Sequence, residues 1–531
     1  MVLTIALKEF YNNLVSARFV IGFLLCLFLI PFSLIISIND YENQVQSYSM
    51  EKKDAEGNNK VRVYSALRPE IVKHPEPMSI FCGGISFNVG CKVKVLLGEK
   101  PLLASGGREI RDNPFLNSYF SLDFISIIII VMSLLALIFT YDASTKEKEL
   151  GTLKLILSNS LSRSKLLIGK VIGVYFTLLP IILVCYIISI FIILFSHTIA
   201  FSQAEWIRVD LLFLMSILFF SLFIFIGLFV STRIPSSITS IIVCLFLWIV
   251  FIFIIPNSAL YIAQSFIKVG SQENLNNSLQ ELDNEYEEKC SVHKELLKEP
   301  DWWNRWNMND GDDGYMEMSG ASRSLFEYYR SLKEYTEPLR IDYADKKWIL
   351  QKAYLDKLDE QRTFAETISL LSPSELFRLV ASTLCHTDVN AHYRFLDRTR
   401  IYREEFISYL RDRNIFSSFQ YFSPQPPETY MTADEIIKVR SGGRFISKDE
   451  FVMWANSHNG DYSPLAKVDI PGTNFRTYPF LSLSDLPQFI WESESIAGDL
   501  KEAFTKISVM ILLGIILFYV SFISFIRYDV R

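Results

Sequence analysis

Hydrophobic positions in this chain gather into six long uncharged runs and do not form the alternating stripes of a soluble protein. The runs cover residues 19–38, 124–141, 171–195, 211–230, 238–255 with an extension towards 260, and 507–526. Crossing the hydrocarbon layer of a bilayer takes about 20 residues at helical rise, and each run meets that length. None contains Asp, Glu, Lys or Arg, each of which costs roughly 2.5 kcal/mol or more at the bilayer centre. Soluble core helices carry a polar face, whereas these are apolar all round, which excludes six buried helices of a soluble protein. The pattern predicts six transmembrane helices.

The polar stretches between the runs carry other periods. Residues 39–120 contain alternating segments, Lys60-Val-Arg-Val-Tyr-Ser and Ser86-Phe-Asn-Val-Gly-Cys-Lys-Val-Lys-Val, which predict a small sheet. Residues 271–299 and 322–365 are charged, contain Leu and Tyr, and are almost free of Gly and Pro, so long helices paired as an antiparallel hairpin are expected. Ser372-Pro-Ser-Glu-Leu starts a further helix, with Pro373 early and Glu375 near its positive end. Another is expected over 392–413. Beyond Phe422 the chain is rich in Pro, Gly and Asn and reads as irregular with a few short strands.

Composition and charge then set sidedness. The chain has 531 residues, half of them hydrophobic, a mean hydropathy of +0.24 and a net charge of −6. Lys8 and Arg18 precede the first run as in a signal peptide, but the run is long and Ile-Ser-Ile-Asn-Asp follows it where a cleavage site would need small residues, so a retained span is expected. Pro31, Pro180 and Pro256 read as bends, with a gating hinge as the alternative. With both termini inside, segments 1–18, 142–170, 231–237 and 527–531 carry 11 Lys+Arg against 5 Asp+Glu, while 263–505 carries 28 against 40. Short basic loops stay in the cytoplasm, so both termini are expected there and 263–505 outside. Cys26, Cys185 and Cys244 lie in spans; Cys82, Cys91, Cys290 and Cys385 lie outside, where oxidation is allowed. Three pairings exist for four cysteines; nearness in sequence favours Cys82–Cys91, and Cys290–Cys385 is the remaining pair.

Several chemistries are missing. Gly169-Lys170-Val lacks the earlier glycine and the hydroxyl of a phosphate-binding loop, and there is no His-Glu-x-x-His, Gly-x-Ser-x-Gly or Cys-x-x-Cys. The chain is therefore expected to be no enzyme, with no catalytic residue and no metal site. Cys385, His386, Asp388 and His392 have metal-ligand types, but a polar helix N-terminus explains them. In Asn309-Asp-Gly-Asp-Asp-Gly-Tyr-Met-Glu317 the glycines fall at the wrong offsets for a calcium loop, so a solvated turn is expected.

The segment between the second and third spans is more telling. Its flanks are charged, yet its middle, Leu153, Leu155, Ile156 and Leu157, is apolar, and such a patch on a short loop calls for the membrane interface or a partner to cover it. Here Glu147-Lys-Glu-x-Gly-Thr-Leu153, followed by Ser158-Asn159, Ser162-Arg163 and Gly169-Lys170, closely resembles the permease subunits of type-2 ABC exporters. Asn113-Pro-Phe-Leu, Asp123-Phe124, Thr140-Tyr-Asp-Ala and Pro75-Glu-Pro-Met-Ser-Ile-Phe81 look like the same family. Leu371-Ser-Pro-Ser-Glu-Leu376, Thr387-Asp388, His392, Arg394-Phe-Leu-Asp397 and Tyr402-Arg-Glu-Glu405 resemble its subgroup with a large extracytoplasmic insertion between the fifth and sixth spans. Lys146, where the family often has Gly, and Ser160, where it often has Pro, are departures.

The resemblance implies a half-transporter in a bacterial inner membrane. It would pair with a second permease copy or a related permease, and with a cytoplasmic ABC ATPase that holds ATP and Mg; nucleic acid is not an expected partner. Glu147, Lys148, Glu149, Gly151, Thr152, Leu153, Ser158, Asn159 and Arg163 would form the ATPase-coupling segment, with the two glutamates facing basic groups, Gly151 making the turn and Leu153 anchoring. The expected architecture is polytopic and α-helical. It comprises 1–38 (interfacial segment and first span), a small β-containing extracytoplasmic insertion 39–120, and spans two to five over 121–260 with the loop 142–170. A large, mainly α extracytoplasmic domain 261–505 follows, then the last span and tail, 506–531. The substrate of an exporter built this way would be amphipathic or lipid-like, and Phe213, Phe219, Phe220, Phe223 and Phe225 are compatible with an apolar path or with lipid-facing packing. Two other readings share the sequence: a motor-driven lever acting on an extracytoplasmic protein partner, and a membrane-anchored scaffold or sensor without an ATPase.

Overall fold

The computed structural model describes residues 1–85, 89–102, 123–158, 162–196, 198–300, 307–311, 314–465, 477–492 and 494–527. Among these residues six helices are long and apolar enough to cross a membrane: Ala17–Asn58, Phe124–Glu149, Arg163–Phe195, Gln203–Arg233, Ser237–Phe266 and Ile496–Ile526. Each contains one predicted run. The second and fourth are central, with 72% and 67% of their apolar windows buried, whereas only 11% of the fifth is covered. Close approach at the centre depends on Gly227, where a Cβ would collide with Thr140 Oγ1 of the second span.

A helix that the run pattern does not register, Val2–Leu14, lies against the start of the third span. Gly169 and Gly173, four residues apart on one face, let it approach; added Cβ atoms would fall 2.8 Å from Ile5 and 2.7 Å from Glu9. Small residues at this spacing permit backbone contact between helices. Leu3, Leu7 and Tyr11 are left exposed on its other face.

Two spans contain a π turn, at Ile128–Met132 and Val250–Ile254. In the second, Ile255 N–H bonds back to Val250 O. The equivalent partner of Phe251 O would be residue 256, a proline without an N–H. That orphaned carbonyl accepts hydrogen bonds from Ser372 Oγ and, at 2.9 Å, from Ser374 Oγ.

These serines belong to the helix Pro373–Leu384 and its N-cap. The sequence places this helix inside an external domain, but it packs among the spans. Phe377 stacks on Phe219 at 4.7 Å, and Leu376, Phe377, Val380 and Ala381 share one core with the fourth and sixth spans. The chain descends along the fifth span through Arg323–Ser369, with Phe364 against Phe266, turns at Leu370–Ser372 and climbs back. Phe219, Phe220 and Phe223 are fully buried in this core, so they pack the protein interior and do not line an open path.

Opposite the 142–170 loop, the two polar insertions merge. Gln272–Leu297 and Arg323–Ser369 form the expected antiparallel pair, in register through Asp283–Lys347 and Lys289–Tyr343. Val389–Asp412 matches the helix expected over 392–413. Among the described residues the β content is smaller than the alternation predicts: Glu70–Val72 pairs antiparallel with Lys92–Lys94, Lys60–Ser65 holds only the start of a 3-10 turn, and 86–88 lie outside the description. Residues 39–58 continue the first span as helix. The acidic segment is the tip of a hairpin, Asn307–Asp310 with Met316–Ser319, in which Asn309, Asp310 and Gly311 are exposed; 312 and 313 lie outside the described residues. Past Phe422 the described residues are largely irregular, as expected, but carry the short helices Ala433–Arg440 and Lys448–Ser457 where short strands were expected. Tyr64, Ile71, Val93 and Val95 from the first insertion are buried in one core with Phe326, Phe395, Phe406 and Tyr421 from the second. Arg403, fully buried, reaches back to the carbonyls of Leu96 and Leu97.

Candidate functional site

The second span ends in two short helices, Thr145–Glu149 and Thr152–Ser158, joined at Gly151. Its φ of +68° is the left-handed geometry that glycine adopts without a steric penalty, and it turns the chain sharply. Thr152 Oγ1 closes this turn on Glu147 O at 3.3 Å.

Charged side chains then tie the segment to the ends of four spans. Glu147 pairs at 2.8 Å with Lys170 of the third span, a lysine almost wholly buried that also meets Glu9 at 3.4 Å and Ala143 O. Lys148 Nζ donates to Ser231 O, Thr232 O and Ile234 O at the end of the fourth span. A cation on orphaned C-terminal carbonyls is stabilised by both hydrogen bonding and the helix dipole. Glu149 accepts from Ser237 N and Oγ, at 2.8 and 2.6 Å, at the start of the fifth. Arg163 reaches Ile526 O at the end of the sixth.

Leu153, expected to face a partner, is buried against Leu166, Leu167, Val171, Leu228 and Phe525 of its own chain. Among the described side chains of the segment the outward apolar positions are Leu150 and Leu155, each about two-thirds exposed, and the Leu157 side chain lies outside that description. Ser158 is exposed and bonds locally to Leu155 O; Asn159 lies outside the described residues, as does Ser160. Leu150 was missed by sequence reasoning because it precedes the apolar cluster and sits among charges; a helical-face count through Gly151 could not place it.

At the other end of the bundle a second polar cluster joins distant segments. Arg208 of the fourth span donates to Asp499 at 2.9 Å and to Glu494 O at 2.7 Å. His386 Nε2 lies 2.7 Å from the other oxygen of Asp499, and its Nδ1 is 3.9 Å from Glu76. Burial opposes charge on His386, but the two carboxylates prevail and lift its pKa to about 9. Beside it a cleft of about 300 Å³ is lined by Glu51, His74, Glu76, Asp388 and His392, among others. Asp388 caps Val389–Asp412 through Ala391 N, and among the described residues no three His, Cys, Asp or Glu side chains form a group that could hold a metal. Cys82 and Cys91 are not joined: Cys91 Sγ lies 3.9 Å from Glu51, and Cys82 faces Cys385.

Compared with known proteins, the chain matches the family model described as "ABC-2 family transporter protein" over residues 3–423. No curated protein matches it.

Proposed function

Because the chain belongs to the ABC-2 family transporter proteins, a family of multi-pass membrane subunits without their own ATPase, we propose that it couples ATP hydrolysis on a separate cytoplasmic ABC ATPase to export of a substrate. A second permease copy would complete the transporter. ATP and Mg would bind the ATPase, and both termini and the 142–170 loop would face the cytoplasm, with the merged insertions outside.

The observation that carries this reading is the convergence on one short segment. Side chains of Glu147, Lys148, Glu149 and Arg163 touch the ends of the third, fourth, fifth and sixth spans. A force applied to the two short helices therefore reaches the third, fourth and fifth spans through Glu147, Lys148 and Glu149, and the sixth through Leu153, which shares a buried cluster with Phe525, and through Arg163 at the start of the third span. A bound motor can bias a two-state membrane bundle only through contacts that differ between the states, and Leu150 and Leu155 supply an apolar face for them. In this reading Leu153 and Glu147 hold the segment in place, while Leu150, Leu155 and the exposed ends of the short helices meet the ATPase. An amphipathic or lipid-like substrate would move between two copies, along the sparsely covered fifth span.

Leu155→Glu and Leu150→Glu test this. Both side chains are exposed, so the variants should melt like the parent, while recovery of the co-expressed ATPase on the tagged chain should fall at least about tenfold, equivalent to about 1.4 kcal/mol. Undiminished recovery with both substitutions combined would remove the segment from the interface. An ATPase that binds and hydrolyses ATP without any substrate movement in proteoliposomes would instead favour a lever acting on an outside partner.

A further inference from the structure

Cys82 and Cys385 stand 303 positions apart in sequence, one in each insertion, yet both are free thiols buried in one core and close enough for Cys82 to raise the pKa of the Cys385 thiol. Both are buried, at 2% and 0% exposure. The backbones that carry them are held together independently of the sulfurs: Ile85 N donates to Thr387 O at 2.9 Å. Gly84, at a φ of +51°, lies so close that a Cβ there would collide with Thr387. Nearby, Gly83 N donates to Asp123 at the start of the second span, and His386 meets Asp499 of the sixth. The other two outer cysteines are committed elsewhere, Cys91 beside Glu51 and Cys290 beside Tyr286.

We infer that Cys82 and Cys385 form a disulfide that fastens the first insertion to the turn after Pro373–Leu384. This rests on the proposed orientation, since only the outer face of the membrane supports stable protein disulfides. The oxidant is the disulfide of a dithiol oxidoreductase. One cysteine thiolate attacks it, forming a mixed disulfide and releasing one enzyme thiolate. The second cysteine thiolate then displaces the other enzyme sulfur, so the enzyme leaves as a dithiol carrying the two electrons, and the two protons go to its thiolates. Burial pushes the Cys385 thiol well up from its ordinary range, which slows attack from the folded state. Oxidation therefore belongs to folding, before the two insertions close, and burial afterwards shields the bond from reductants.

A site-specific protease sequence inserted at Gly270, which is exposed with open space around it, separates the two cysteines. Protease is added to intact spheroplasts, free thiols are blocked with N-ethylmaleimide, and the protein is run in denaturing gels with and without reductant. Most of the cut chain should migrate as one species until reductant splits it. Cys91→Ser should leave this unchanged, while Cys82→Ser or Cys385→Ser should release the halves without reductant. Cys26 and Cys185, which also interact, both precede the cut and cannot hold the halves together.

Halves that separate without reductant in the parent chain overturn the disulfide and leave the orientation standing. A site cut only after lysis overturns the orientation, and the disulfide falls with it. The mass of the intact chain after blocking gives an independent reading without any cysteine variant: two of its seven cysteines should escape the maleimide until reduction, and seven adducts would overturn the proposal.

Discussion

Lys170 is a lysine with almost no solvent contact, held by Glu147, Glu9 and a backbone carbonyl. Removing one partner of a buried pair leaves a charge without compensation, which is costlier than removing both. Glu147→Gln should destabilise by about 3 kcal/mol, the low end for such breaks because Glu9 remains. The Glu147→Leu, Lys170→Met double variant should recover much of the loss. Unfolding midpoints in detergent decide this; an E147Q variant that melts like the parent would mean the glutamate's work is elsewhere. His386 gives a pH dependence. Its folded pKa of about 9 exceeds the ordinary 6.5, so its contribution to stability is fully present below pH 6.5 and is lost as pH rises through about 9. Glu76, held below its ordinary value once the His386 contact outweighs burial, acts in the opposite direction and loses its contribution on acidification. Melting temperature should therefore decline on acidification and, from about pH 6.5 upwards, on the alkaline side as well, and His386→Gln should flatten the alkaline limb. An unchanged alkaline limb in that variant would assign the decline to another group.

At the scale of elements, the six spans were legible because uncharged length is a one-dimensional signal that needs no knowledge of neighbours. The helix Pro373–Leu384 was legible as a helix, from Ser372 and Pro373, but not as part of the bundle. Glu375 and Arg378 pair with each other at 2.5 Å on its surface, so charges that argue against burial in a sequence are neutralised locally in the fold. Its docking depends on an unpaired carbonyl five spans into the chain, created by Pro256, which only three-dimensional contact reveals. Ser374→Ala should have a small effect, because Ser372 still bonds Phe251 O. Ser372→Ala should cost more, since that hydroxyl also caps the helix at Glu375 N, and the double variant most, about 2 kcal/mol for an unsatisfied buried acceptor. That rank order of melting temperatures is the check; equal effects of the two single variants would contradict the double role of Ser372. In the 142–170 segment the turn at Gly151 was legible, but the direction of each side chain was not. Leu153 and Leu155 are two apart and emerge on different sides, one into the core and one into solvent.

Over the whole molecule, insertions that are separate in sequence are one body in space. Strand alternation in 60–95 signalled buried positions, but the partner surface lay more than 200 residues away, so a small independent sheet was the natural expectation. The actual core takes Tyr64, Ile71, Val93 and Val95 from one side and Phe395, Phe406 and Tyr421 from the other, while Arg403 needs the carbonyls of Leu96 and Leu97. A fragment of 261–505 alone would expose that apolar surface and strip the buried Arg403 guanidinium of its two carbonyl acceptors, leaving it Glu404 and Asp345. Such a fragment should bind hydrophobic dyes and unfold without a cooperative transition, whereas the same residues in the full chain should show strong amide protection. A cooperative, dye-free fragment would mean that the second insertion is an autonomous module. If it is not, the connection from the first to the second span and the connection from the fifth to the sixth must move together. In the proposed transporter, motion transmitted from the 142–170 segment would then arrive at the other end as displacement of one rigid piece, seated on Asp123, Arg208 and Asp499.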